Sequence, residues 1–335
     1  MSSHVRDFHQ VFHDDFSHFD HSKWTNEVAA SGFGNGEFQI YSPESRNCFV
    51  KNGILHLKPT LTVDRFGENF LTHGILDIHK TYGTCTNSNN HGCYHDASKD
   101  GIIPPAMSCK LKSTGTIRYG RVEIWAKMPK GDWLWPAIWL MPKDSKYGTW
   151  PRSGEIDMAE LRGNLHNTGG TPNQVSSTIH FGTDWNHGHR SISKTHWNGH
   201  SYAEGFHKYV MDWTASHIRI SVDDVMILNS TTPSDGYFHH YLQGTNIYSS
   251  GGKDAPFDRE FYIILNVAVG GTKGWFQDGA KNSPYPKPWV NSEGQSKSMQ
   301  KFWAARHIGN PHGKVMRPPC RFDRSLCGPT SNSSL

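Results

Sequence analysis

Two stretches alternate outward and inward residue types without a break, and they constrain the fold more than any other feature of the chain. Residues 121–128 read RVEIWAKM and residues 217–222 read HIRISV, the period of two that marks a half-buried β-strand. Asp223-Asp224 turns the second stretch into another at 225–228, and Asn52-Gly53 precedes a further one at 54–58. More strands are expected at 137–141, 175–181, 206–213 and 261–269, whereas helical periodicity is rare and best at 299–306. Many short strands separated by Gly-, Pro- and Asn-rich loops predict an all-β sandwich or barrel. The 335 residues suffice for one large domain, since β-sandwiches run past about 200 residues as single units. No internal repeat or linker divides the chain. Residues 1–310 are therefore expected to form one domain, with a long loop insertion at 64–108 and a C-terminal tail at 311–335 pinned by Cys320 and Cys327.

Composition removes several classes of function. Charged residues are only 19% and aromatics reach 12%, which argues against a disordered chain or a coiled coil. The longest apolar runs flank Asn266 and fall far short of the roughly 20 residues that span a bilayer, so no membrane partner is expected. Net charge is +4 and no Lys/Arg run tracks a phosphate backbone, so neither is nucleic acid. The 22 histidines would make the chain much more cationic in mild acid.

Six cysteines, at 48, 85, 93, 109, 320 and 327, allow fifteen pairings, with Cys85/Cys93 and Cys320/Cys327 close in sequence. Their loops lack C-x-x-C knuckles, which favours disulfides over zinc. Asn229 and Asn332 begin glycosylation acceptor triplets. Together these predict a secreted, extracellular protein. Residues 1–8 (MSSHVRDF) carry no apolar signal core, which a removed signal peptide would reconcile.

The most informative segment is 153–160, SGEIDMAE, with three acids in six residues of a strand-like run. In a regular strand Glu155 and Asp157 share a face while Glu160 points to the other. One inserted residue, a β-bulge at Met158-Ala159, would bring Glu160 back beside them. Three carboxylates on one face repel one another. Glycoside hydrolysis gives a reason to keep them: one carboxylate attacks the anomeric carbon, another donates a proton to the leaving oxygen, and a third tunes both. Tryptophans stand close by, at Trp133, Trp135, Trp139 and Trp150, and aromatic faces line sugar clefts. Trp135 and Trp139 share parity. A solvated strand edge or a calcium site is the alternative reading of the acids, and core packing that of the tryptophans.

The segment GEIDMAE at 154–160 resembles the ExDxxE signature of glycoside hydrolase family 16. Further matches follow in order: GNGEFQIY at 34–41, YGRVE at 119–123, WPAIW at 135–139, TIHFG at 178–182 and LNVAVGG at 265–271. ELRGN at 160–164 and TKGWF at 272–276 look most like the animal branch, which holds laminarinases and β-1,3-glucan recognition proteins. The resemblance implies a β-jelly-roll sandwich of two curved antiparallel sheets with a concave cleft. It implies Glu155 as nucleophile, Glu160 as general acid/base, Asp157 as the support between them, and retention of configuration. Asn35, Trp135, Trp139 and His180 would contact sugar, with Trp133 in the same cluster. SCKL at 108–111 stands where S-A-R-[IL] is expected, so an arginine contact falls on Lys110, a point charge rather than a fork.

The expected activity is endo-hydrolysis of laminarin-type β-1,3-glucan by a monomer, with transglycosylation as a side path. A non-catalytic recognition protein and a relative acting on another polysaccharide are the alternatives. The chemistry requires no cofactor or metal. A structural calcium away from the cleft is compatible with the resemblance, and the histidines His4, His9, His13, His18, His21, His187 and His189 read as solvated.

Overall fold

The computed structural model describes residues 9–305 and 320–323. Two antiparallel sheets of seven strands each lie face to face, joined by a three-stranded sheet and a small hairpin. The cleft sheet runs, in spatial order, Trp24–Asn26, Lys110–Ile117, Phe261–Val269, Leu134–Pro142, Glu155–Glu160, Gln174–Gly182 and His189–Trp197. The outer sheet runs Val225–Thr231, His217–Val222, His207–Thr214, Gly120–Lys127, Cys320–Asp323, Ile54–Leu57 and Cys48–Lys51. The β-jelly-roll expectation holds.

Alternation fixes which side chains fill the space between the sheets. Ile138, Leu140, Ile156, Met158, Ile179, Phe181, Leu265 and Val267 point inward from the cleft sheet and are fully buried or nearly so. Val122, Ile124, Tyr209, Met211, Trp213 and Ile220 meet them from the outer sheet. At about 25 cal/mol per Å² of apolar area removed from water, this layer is the main stabilising force. The expected strands appear with ends shifted by a few residues, and 217–222 and 261–269 coincide with the observed ones.

Three expectations need correction. Residues 64–108 are not a structureless loop: they hold helices Val63–Phe66, Phe70–His73, Ile78–Tyr82 and Ala97–Asp100, and a hairpin pairing Ile75–Asp77 with Tyr94–Asp96. A disulfide between Cys85 and Cys93 closes this hairpin, while Cys48 bonds Cys109 between the two sheets. The region 311–335 is not wholly a tail, because Cys320–Asp323 inserts as a strand between Trp125–Lys127 and Ile54–Leu57. The strand His189–Trp197 was not expected at all, since as an edge strand it buries little and reads as polar. The helix expected at 299–306 is observed as Gln295–Ala304. Cys327, Asn332, His4 and Arg306 lie outside the described residues. Asn229 is exposed on the outer sheet's edge strand. Among the described residues no helix is long and apolar enough to cross a membrane.

Candidate active site

Gly154 launches the acid strand. It adopts φ +84°, and a Cβ there would meet Pro256 and Phe257 at 3.1 Å, so a side chain is disfavoured by both backbone and space. In the strand that follows, Glu155 lies opposite His180, Asp157 opposite Thr178 and Glu160 opposite Ser176. Three residues thus span two on the neighbour. Across the other edge Trp139 pairs with Asp157 and Ile138 with Ala159, leaving Met158 as the extra residue. This is the expected bulge, and it returns Glu160 to the face of Glu155 and Asp157.

All three acids line one pocket, open to solvent, with Asn35, Lys110, Trp135 and Trp139, as expected, and with Phe33, Glu37, Tyr41 and Asn266. Trp135 donates its indole N–H to Glu160 Oε1 at 3.0 Å, and Trp150 donates to Glu155 Oε2 at 2.7 Å. Trp139 donates to Asn266 Oδ1 at 2.7 Å, and Asn266 donates in turn to the Tyr41 hydroxyl at 2.9 Å. These bonds hold the indole planes at fixed angles, which preorganises an aromatic wall. Behind Trp135, Trp275 stacks at 4.6 Å with 9° between planes, and the Arg162 guanidinium lies 3.9 Å from the Trp275 ring.

Trp133 corrects the sequence reading. It has no exposed surface and packs edge-on against Phe276 and Trp289, at 5.4 and 5.1 Å between centroids. Its φ of +68° takes it out of the strand pattern, so parity with Trp135 does not bring it to the cleft. His180 is at the site: its Nε2 lies 3.0 Å from Asp157 Oδ2.

Lys110 is buried, with its ammonium 4.9 Å from the ring centres of both Phe33 and Trp139. Burial pushes its pKa down, and the charges of Glu27 and Glu37 act against that. Glu37 accepts from Asn35 Nδ2 at 3.0 Å and from Gln39 Nε2 at 2.5 Å, which orients Asn35 at the cavity. Burial raises the Glu37 pKa.

The acids titrate far from ordinary carboxylates. Burial, and then the charge of Asp157, push Glu155 up to about 8. Burial pushes Glu160 up to about 7, with the Trp135 hydrogen bond pulling the other way. Asp157 is raised by burial and by the Glu160 charge. Like charges in one dry pocket cannot all ionise together, so the cluster keeps protons at neutral pH and its titration belongs to the group. A carboxyl that still carries its proton near neutrality is a competent acid.

Glu155, Asp157 and His180 offer ligand atoms within 4.8 Å of one another, as do His79, Cys85 and Cys93; the second set is spent on its disulfide. Sequence reasoning missed Phe33, Glu37, Tyr41 and Asn266 as lining residues. Asn266 carried a signal, a lone amide inside the apolar run 261–269. Glu37 and Tyr41 lie in the GNGEFQIY segment but have no chemical marker of their own.

A sequence profile described as Glycosyl hydrolases family 16 matches residues 78–254. A beta-1,3-glucan-binding protein of Penaeus monodon is 40% identical over 318 residues, covering 91% of this chain and 84% of that protein. Glucan endo-1,3-beta-glucosidase A1 of Niallia circulans is 33% identical over 275 residues, covering 78% of this chain but only 34% of the longer relative. Among solved structures, the catalytic domain of an endo-1,3-beta-glucanase (laminarinase) from Thermotoga petrophila RKU-1 superposes with a TM-score of 0.56 at 25% identity. That match covers 80% of this chain and 89% of the other.

Proposed function

The chain belongs to glycoside hydrolase family 16, and from that premise we propose that it is a retaining endo-hydrolase of laminarin-type β-1,3-glucans. The observation that carries the proposal is the bulge at Met158, which sets two glutamates on one cavity wall with Asp157 between them. Glu155 attacks the anomeric carbon as Glu160 passes its proton to the leaving oxygen, and a glycosyl–enzyme ester forms. Glu160, now a carboxylate, takes a proton from water as the water oxygen displaces Glu155, restoring both groups and the original anomeric configuration. A sugar hydroxyl in place of that water gives transglycosylation. Asp157 supports Glu155, with which it shares a hydrogen bond. Trp135, Trp139, Asn35, Lys110 and His180 hold the sugar. The two disulfides support an extracellular setting.

A second reading has one specific observation in its favour: the relative 40% identical is named a beta-1,3-glucan-binding protein. Binding without cleavage would need neither nucleophile nor proton donor, and the presence of both glutamates on one cavity wall favours the hydrolase. The discriminating experiment is incubation with laminarin, followed by mass spectrometry and NMR of the products. Short oligosaccharides that appear first as the β-anomer are expected. Tight binding with no shortening of the polymer would hand the site to the second reading, and first-formed α-anomers would rule out retention.

A further inference from the structure

Beyond the cavity wall, on the edge strand, a second histidine completes a line of groups that ends on Asp157. His180 Nδ1 lies 2.8 Å from His189 Nε2, and the two rings stack at 5.0 Å with 20° between planes. On its other side His180 Nε2 comes within 3.0 Å of Asp157 Oδ2, a buried oxygen with no hydrogen-bond partner among the described residues. Trp150 covers His189 at 5.1 Å and anchors on Glu155. The order Asp157, His180, His189 therefore leads from the acid cluster to a half-buried residue on the outermost strand.

A neutral imidazole donates from one nitrogen and accepts at the other, so this geometry allows two arrangements. In the first, His189 Nε2–H donates to His180 Nδ1, and the His180 Nε2–H lies beside an ionised Asp157. In the second, Asp157 carries a proton beside an unprotonated His180 Nε2, while His180 Nδ1–H donates to His189 Nε2. The second holds one proton more than the first, entering at His189 Nδ1, and both rings stay neutral throughout. Burial and the neighbouring His180 hold His189 below the ordinary histidine range, in keeping with a neutral His189 ring. The charged groups facing the pair are Glu155, Asp157 and Glu160 on the acid strand and Arg190 beside His189.

We propose that His189 is a positioning residue, which by donating to His180 Nδ1 fixes the tautomer whose Nε2–H steadies ionised Asp157 beside the proposed nucleophile. The inference rests on the hydrolase reading for its kinetic consequences, but not for the tautomer itself. Outer hydrogen-bond partners of this kind are worth about 10- to 100-fold when removed from metal-bound histidines, and the low end is expected here.

The test compares His189→Phe, which stacks without donating, with His189→Gln, whose amide N–H can replace the lost donor. Imidazole ¹⁵N shifts should find His180 protonated at Nε2 in the wild type and in His189→Gln, and shifted toward Nδ1 in His189→Phe. On laminarin, kcat should fall about 10-fold in His189→Phe with KM little changed, the acid limb of kcat/KM should move to higher pH, and His189→Gln should recover most of the loss. Wild-type His180 protonated at Nδ1 near neutral pH would overturn the proposal, as would equal losses in both variants. Should the wild type not cleave laminarin at all while the ¹⁵N shifts behave as expected, the hydrolase reading would fail and the positioning of Asp157 would stand.

Discussion

In the outer sheet Arg121 sits directly opposite Asp212 and reaches both its oxygens at 3.0 Å on the water-facing side, while Val122, Ile124 and Ala126 point into the core. In the cleft sheet Glu155, Asp157 and Glu160 crowd onto one face of a single strand, with their pKa values driven up by burial and by one another. Both sheets use the same alternation. Where it is kept, polar side chains meet solvent or a partner and cost little; where Met158 breaks it, charges are collected that water can no longer dilute. The contrast teaches that the reactive strand is an energetic exception held in place by a regular neighbour on each side.

The sharpest way to test that contrast is Glu155→Gln, which should abolish laminarin turnover while leaving calorimetric affinity for laminari-oligosaccharides nearly intact. Unchanged turnover would sink the assignment of the acid strand. Next in size, Glu160→Gln should slow kcat about 10²- to 10⁴-fold, and much less on an aryl glucoside whose leaving group needs no proton. An equal loss on both substrates would mean that Glu160 is not the acid.

The wild-type activity should decline as pH rises through about 7 to 8, the range over which the coupled acid cluster gives up its last proton. Trp135→Phe removes a bond that favours the ionised form, so this alkaline limb should shift upward. A downward shift would contradict the role given to that indole.

Stability should move against activity. Because the folded-state pKa of Glu160 is raised from 4.5 to about 7, the folded chain holds more protons than the unfolded one across that window. Its contribution therefore becomes less favourable as pH climbs through it. Glu160→Gln should raise Tm most at pH 8, with the gain fading below pH 4.5, and a gain independent of pH would point to packing instead. Smallest of all, Arg121→Ala in the outer sheet should cost about 0–1 kcal/mol in denaturant titration and leave kcat untouched.

The strand at 217–222 was legible because one face meets the core, that at 261–269 because nearly all of it is buried and apolar, and the bulge because three acids could not otherwise share a face. Trp135 and Trp139 followed from parity. Trp133 did not, since a positive φ cancels parity and its aromatic partners Phe276 and Trp289 lie far along the chain. His189 was hidden for a different reason: on its strand the apolar residue packed inward is Ile192, so HRSISKTHW gives no period to read. The strand Cys320–Asp323 pairs with segments some 200 and 260 residues earlier, and no local pattern announces such a pairing.

The bulge also bears on how such a site is gained or lost over generations. Every acid in the cluster is encoded separately, yet their convergence hangs on the register in which their strand pairs, which no acid sets. Straightening of the strand with every residue kept would leave Glu155, Asp157 and Glu160 all in the gene, with the aromatic cleft still facing its polymer, and would turn Glu160 toward the core. A lineage can thus move between cutting a polysaccharide and merely holding it by an event that a tally of catalytic residues would never register.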